Sequence, residues 1–414
     1  MKRMSLEALA SSLNCSKYPE RWNALYDGVM DNYDKNGCIY ATSEYYENLN
    51  QKYDMFPNFL DDFKNAAVEL SKNDSLCRFF ALLCESMKNR EKFNAEYSEI
   101  DMPKTADGSY RIEFEMLTGL AAVSLADYTY SLLDARNMPE NQRLYAMRVF
   151  ENMVKTYKMR NEGRAGAMSF TWYQLAVDAK LYETTRLQIE VDGRFTSKAV
   201  VFENEDGKTI ALACGCAVHR SGNILGSAGY TDEDGSFDAT VEETDTAYVG
   251  HAYGRYGRVS SQKCVLDKKS WKKIIEPGDA VVGIHIPPGG GMTDELISRS
   301  FDETKELMAK YFPDFDYKAF VCGSWLMDDQ LCDILGEDKN ISKFCARFDK
   351  IGRKSSGRSV FSFVYLLPHV TDVDYNALPE NTTLERLLKK HYLDGKAISE
   401  WSGYIPRNRR YWMK

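Results

Sequence analysis

The chain has 414 residues, with 53 Lys and Arg against 61 Asp and Glu and a formal net charge of −8. That length holds two or three ordinary domains, and the acidic balance excludes the broad basic face that general nucleic-acid binding needs. Apolar residues at 44% and charged residues at 28% exclude a disordered chain, and no apolar run reaches the roughly 20 residues of a membrane span.

Met1 to Asn14 carries charge but no long apolar stretch, so a secretory signal is not expected there. Trp22, Leu25, Tyr26, Val29, Met30 and Tyr33 fall at i, i+3, i+4, i+7, i+8 and i+11, one stripe of a helix. Leu76, Phe79, Phe80, Leu83 and Met87 repeat that spacing, as do Leu144, Met147, Phe150, Val154 and Tyr157 behind Pro139. Phe114 to Leu133 is a further apolar run of helical length. These patterns predict a helical domain over 1–162. Asn161 to Gly166, with two glycines in a polar setting, is the expected joint to a second domain over 163–414.

After a short helix near Trp172 the period changes to two. Leu187, Ile189 and Val191 alternate with polar neighbours, and Asp192-Gly193 is a hairpin signal. Ala199–Phe202 and Thr209–Ala213 read as strands around a Glu205-Asp-Gly207 turn. Gly222 to Gly235 is loop-rich. Val281 to Ile286 is a short apolar strand carrying His285. Pro287-Pro-Gly-Gly-Gly-Met-Thr293 follows, then a helix to Phe312 and a second strand, Ala319–Cys322. Val360–Leu366 reads as a late strand, and Thr382 with Glu385 as a capping box opening a last helix.

A glycine loop between a buried strand and a helix start can present several backbone N–H groups to a phosphate. The alternative is a plain strand-to-helix turn in which Thr293 caps the helix and Asp294 and Glu295 meet its dipole. Five words stand in order: His219-Arg-Ser-Gly-Asn-Ile-Leu-Gly-Ser227, His285-Ile-Pro-Pro-Gly-Gly-Gly291, Tyr311-Phe-Pro-Asp314, Phe320-Val-Cys-Gly-Ser-Trp-Leu326, and Asn340-Ile341 with Phe344. With them the chain resembles a bacterial acyltransferase family that joins a helical N-terminal domain to a C-terminal GNAT-like N-acyltransferase domain. The match is good over 184–403, legible around 163–180 and faint before. It implies an α+β fold: a helical N-terminal domain followed by a GNAT-like mixed, mostly antiparallel sheet flanked by helices. In that fold the strands Ala280–Ile286 and Ala319–Cys322 run parallel and then splay.

The resemblance implies an acyl-CoA or acetyl-CoA co-substrate, a small-molecule amine acceptor and transfer of an acyl group from thioester to amine. The carrier would lie on Ile286, Gly289, Gly290, Gly291, Met292 and Thr293, its thioester near Phe320 and Cys322. His285 is the candidate general base, or else a structural histidine. Ser324 is the candidate donor to the carbonyl or the thiolate, or else a helix cap. His219, Arg220, Glu243 and Trp325 are candidate acceptor or acyl contacts. For Trp325 a core role, and for Glu243 with Glu242 and Asp245 a solvated face, is the competing reading. Three departures from the family pattern stand out. Prolines open the loop, its three glycines are consecutive, and no Tyr acid follows in Asp328–Leu335. They motivate the alternative of a catalytically silent GNAT-like binding module.

Ten cysteines without a paired framework fit a reducing cytoplasm. Cys214, Cys216 and His219 have the wrong spacing for zinc, so no metal is expected. Lys350, Arg353, Lys354 and Arg358 are carrier-phosphate candidates or a solvated turn. The tail from Arg407 to Trp412 is too short a basic-aromatic patch for nucleic acid. The sequence leaves the oligomeric state open.

Overall fold

The computed structural model describes residues 4–106, 111–167, 170–254, 256–367 and 372–409; Arg410, Tyr411 and Trp412 of the tail lie outside them. The chain forms two compact units, Met1–Leu181 and Tyr182–Lys414. No helix among the described residues is long and apolar enough to cross a membrane.

The first unit is helical for the reasons its periodicity gives. The helix Asp74–Met87 starts where the Asn73 side chain accepts the Leu76 N–H at 3.0 Å, and its Leu76, Phe79, Phe80, Leu83 and Met87 are all buried. It packs on the helix Arg21–Asn36, which buries Trp22, Tyr26 and Met30. Phe114–Leu133 is not one helix. It divides into Ile112–Glu115, Leu117–Val123 and Ala126–Ala135. Apolar content ran through the breaks and hid them. The helix Phe170–Val177, around Trp172, packs on Leu117–Val123 and on Glu140–Arg160.

The second unit holds the sheets. In chain order the strands are β1 (Leu181–Glu183), β2 (Gln188–Arg194), β3 (Ala199–Asn204), β4 (Thr209–Ala213) and β5 (Cys216–Val218). Next come β6 (Phe237–Ala239), β7 (Val241–Glu243), β8 (Ala247–Tyr253), β9 (Val259–Asp267) and β10 (Trp271–Ile275). The last are β11 (Ala280–His285), β12 (Ala319–Ser324), β13 (Asp349–Gly352) and β14 (Trp401–Pro406). One six-stranded sheet has the order β1-β2-β11-β12-β14-β13; a second runs β10-β3-β4-β8-β7, with β9 on β8. The β11–β12 pair is parallel, and the pairs β2–β11, β12–β14 and β13–β14 are antiparallel. The mixed, mostly antiparallel sheet expected from the sequence is therefore present.

Each face of the first sheet has its own cover. Val281, Ala319, Ile351 and Tyr404 join Ala199, Val201, Ala211 and Ala213 of the second sheet in one apolar cluster. On the opposite face Phe320 packs edge-on against Phe301 of the helix Asp294–Tyr311, ring centroids 5.5 Å apart. Gly403 of β14 is a tight point: a Cβ there would lie 2.7 Å from Met327 Sδ and from Phe348 Cβ. Gly403→Ala is expected to lower stability by about 1–3 kcal/mol, as overpacking does in a filled core, read as a drop in the urea midpoint at unchanged slope.

Two expectations for this unit need correction. Val360–Leu366 is not a strand, because Ser359–Phe363 is a short helix; a brief apolar run does not tell the two apart. Asp192-Gly193 is not a hairpin. Both residues lie inside β2 where its register with β11 shifts, and Asp192 takes φ 62° there. The Thr382–Glu385 capping box is formed as read.

Candidate functional site

β11 and β12 share three register pairs, Val281–Ala319, Val282–Phe320 and Gly283–Val321. Beyond them each strand keeps only its outer neighbour. β11 stays with β2 through His285–Gln188, and β12 stays with β14 through Ser324–Trp401. Two parallel strands held outward on both sides and unpaired at their C-terminal ends form a V. The opening faces Ile284 and His285 on one arm and Cys322, Gly323 and Ser324 on the other.

Side chains alternate along a strand, so each arm offers two faces. Val281, Gly283 and His285 share one face of β11. On β12 the same face carries Ala319, Val321 and Gly323. His285 Nε2 lies 2.9 Å from Glu190 Oε2, with side chains 30% and 23% exposed. Glu190 sits opposite Gly283 in the register. A Cβ on Gly283 would come within 3.0 Å of Glu190 Cβ and 3.4 Å of His285 Nε2, so the missing side chain makes room for the pair. A carboxylate on imidazole fixes the ring and stabilises its protonated form. Sequence reasoning missed Glu190. Its place in β2 was legible, but its partner on β11 is a matter of register, which no local pattern records.

The loop after β11 leads from Ile286 to the helix Asp294–Tyr311. Thr293 caps that helix, its Oγ accepting the Leu296 N–H at 3.4 Å. Asp294 is ion-paired with Arg347 at 2.5 Å, and Glu295 is held below the usual carboxylate range by its own backbone N–H and by the Thr293 hydroxyl. Arg186 holds the loop from behind, donating to Gly290 O at 2.9 Å and to Pro287 O at 3.0 Å; burial lowers its pKa. In a planar peptide C=O and N–H point in opposite directions, so the Gly291 N–H points away from Arg186. Among the described residues no acceptor takes the N–H groups of Gly289, Gly290 or Gly291. A Cβ on any of the three would meet nothing within 4 Å. Gly289 has φ 149°, a backbone glycine adopts readily. Met292 is 9% exposed. The glycine loop thus presents free donors, while the helix start behind it is capped by Thr293 and carries Asp294 and Glu295 in its first turn.

Phe320 and Cys322 are buried on the helix-covered face. Burial pushes the Cys322 thiol up to about 12, so it stays protonated near neutrality. Ser324 Oγ accepts the Leu326 N–H at 3.1 Å, which caps the turn Trp325–Met327 and leaves the hydroxyl proton free to donate. Trp325 is 8% exposed within that turn. His219 is also buried, and its Nδ1 accepts the Ser221 N–H at 3.1 Å, which leaves the proton of the neutral ring on Nε2. Arg220 pairs with Asp232 and Asp234, both at 2.9 Å. Glu243 pairs with Lys268 at 2.7 Å and Glu242 with Lys263 at 2.6 Å, on the exposed strand β7 of the second sheet.

The basic group near residue 350 separates into two environments. Lys350 is buried, ion-paired with Asp329 and 2.8 Å from Cys345 Sγ. Asp329, Cys332 and Cys345 have ligand atoms within 4.8 Å of one another, but the lysine's own ammonium is the cation among them. Arg353 and Lys354 are exposed. A Cβ on Gly323 would lie 2.7 Å from Arg353 Nη1, and one on Gly226 3.0 Å from Lys354 Nζ. The loop bearing His219 runs beside this segment, Ala228 N–H donating to Ser355 O at 2.9 Å. A groove of about 300 Å³ lined by Lys305, Phe312, Tyr317 and Arg407 lies at the C-terminal end of the Asp294–Tyr311 helix, away from the V.

A family model described as the GNAT-like C-terminal domain matches residues 181–405, more than half of the chain. The chain is similar to the crystal structure of an acyltransferase in complex with decanoyl-CoA and teicoplanin, with TM-score 0.61 and 14% identity over 97% of this chain and 99% of that one. It is similar to an acyltransferase in complex with decanoyl-CoA, at TM-score 0.59 and 14% identity with the same coverage. A third likeness is to an acyltransferase in complex with CoA and 10C-teicoplanin, at TM-score 0.61, 14% identity and that coverage again. At this identity the likeness is one of fold, and it extends along nearly the whole chain. No curated protein matches.

Proposed function

The chain belongs to the GNAT-like C-terminal domain family, and from that premise we propose that it is an acyl-CoA-dependent N-acyltransferase. The observation that carries this reading is the V between β11 and β12, with the unbonded glycine N–H groups beside one arm and the His285–Glu190 pair on it. The solved acyltransferases of like fold hold acyl-CoA or CoA, which supports a thioester carrier here. The carrier's pyrophosphate lies on Gly289–Thr293, where the free N–H groups of the three glycines receive an anion. Its pantetheine arm runs into the V and brings the thioester between His285 and Ser324.

The amine loses its proton to His285, whose imidazolium Glu190 stabilises. The amine nitrogen then attacks the thioester carbon. The C–N bond forms, the nitrogen gives up its second proton, and the C–S bond breaks; the thiolate takes a proton for which the Ser324 hydroxyl is the candidate relay, donating its own as it takes the nitrogen's. Acyl thioester and ammonium give amide, free thiol and one proton. His285 and Ser324 are the proposed catalytic residues. Ile286, Gly289, Gly290, Gly291, Met292 and Thr293 are proposed to hold the carrier.

The test is thiol release from acetyl-CoA and decanoyl-CoA with and without added amines. Amine-dependent release with a matching amide product is expected. Carrier binding with no amine-dependent release would favour the silent binding module instead.

A further inference from the structure

Arg353 has an unusual station. It leaves β13 at the far side of the sheet, yet its guanidinium lies against Gly323 of β12, where a Cβ would sit 2.7 Å from Nη1. Gly323 is on the same face as His285, by the alternation that runs from Val321 and from Gly283. Had the parallel register continued past Gly283–Val321, Gly323 would stand opposite His285. The guanidinium therefore faces the His285–Glu190 pair across the opening. Neither Arg353 nor Lys354 beside it has an acidic partner among the described residues, whereas Arg220, Arg186 and Lys350 are each bonded. A cation placed on a glycine at the mouth of a cleft, without a carboxylate of its own, is available to an anion from outside.

We propose that the acceptor is an amine that also carries an oxyanion, and that Arg353 binds this oxyanion while the His285–Glu190 pair receives the amine's proton. The inference rests on the N-acyl transfer reading and deepens it by naming the acceptor class. Opposite charges at the two ends fix the acceptor's direction. Its ammonium goes to the dyad and its anion to Arg353. Neighbouring strands lie about 4.8 Å apart before they separate, so amine and anion are on the order of 5–10 Å apart. The fork of a guanidinium suits a carboxylate or a phosphate equally, and the experiment has an arm for each.

Steady-state acylation is measured with ε-aminocaproate against hexylamine and with phosphoethanolamine against ethanolamine. In the wild type at least one anionic amine is preferred over its neutral match by roughly 10–100-fold in kcat/KM, the scale of one or two charge-assisted hydrogen bonds. Arg353→Ala collapses that ratio to within about threefold, chiefly through KM, and Arg353→Lys restores part of it; all three proteins keep the same melting temperature because Arg353 is exposed. Acylation of the neutral amines with no preference for either anionic one, or a preference that survives Arg353→Ala, overturns the inference and leaves N-acyl transfer standing. Absence of acylation with every amine, by protein that binds acyl-CoA, overturns both.

Discussion

His285→Ala lowers kcat by roughly 100- to 10,000-fold, the range over which a positioned general base acts, while acyl-CoA affinity stays within about threefold of wild type. The reasoning begins with a short contact. His285 Nε2 and Glu190 Oε2 are 2.9 Å apart on neighbouring strands, and Gly283 leaves them the space to meet. An amine attacks only as the free base, so the ammonium has to give up its proton at the moment the thioester is in reach. Imidazole beside a carboxylate can take it and hold the resulting charge. Glu190→Gln keeps the side chain's shape and removes that charge, so a smaller loss, about tenfold or more, is expected. The two substitutions together should cost little more than His285→Ala alone, since they act through one proton transfer. Single-turnover rates read all three. A His285→Ala protein with wild-type kcat would make the histidine a strand tie and remove the base from the scheme.

Gly290→Glu abolishes carrier binding at micromolar concentration and leaves the fold intact. A Cβ on Gly290 meets nothing within 4 Å, so the substitution introduces no clash. What it introduces is a carboxylate in the loop whose N–H groups are the proposed pyrophosphate donors. Two like charges about 4 Å apart near a protein surface repel by on the order of 4 kcal/mol; screening and side-chain movement reduce this, and a loss of about 100-fold in affinity is expected. Gly290→Ala, sterically as free and uncharged, should bind nearly as well as wild type. Calorimetry with CoA separates these outcomes. Equal affinity for all three proteins would place the pyrophosphate elsewhere.

The strand–loop–helix unit was legible because its parts are local. β11, the glycine loop, the helix and β12 each carry their own pattern, and the structure matches them within a residue or two at their ends. Pairing is not local. Nothing in the sequence around Glu190 points to Gly283 or His285, and nothing around Arg353 points to Gly323. Both relations arise only when β2, β11, β12, β14 and β13 are laid side by side. Lys350 and Arg353 illustrate the same limit within a single basic cluster. The lysine turns into the interior toward Asp329 and Cys345, and the arginine turns outward across β14. Composition alone assigns them one role. Val360–Leu366 failed for a different reason, because a helix of five residues and a short buried strand have the same apolar content.

The measurement that bears most directly on the account is a crystal structure of the protein with CoA. Pantetheine is predicted between β11 and β12, its sulfur near His285 and Ser324 and its pyrophosphate within hydrogen-bonding distance of the N–H groups from Gly289 to Thr293. CoA seated outside the V, or β11 and β12 paired through His285 and Gly323 with no passage between them, would contradict it.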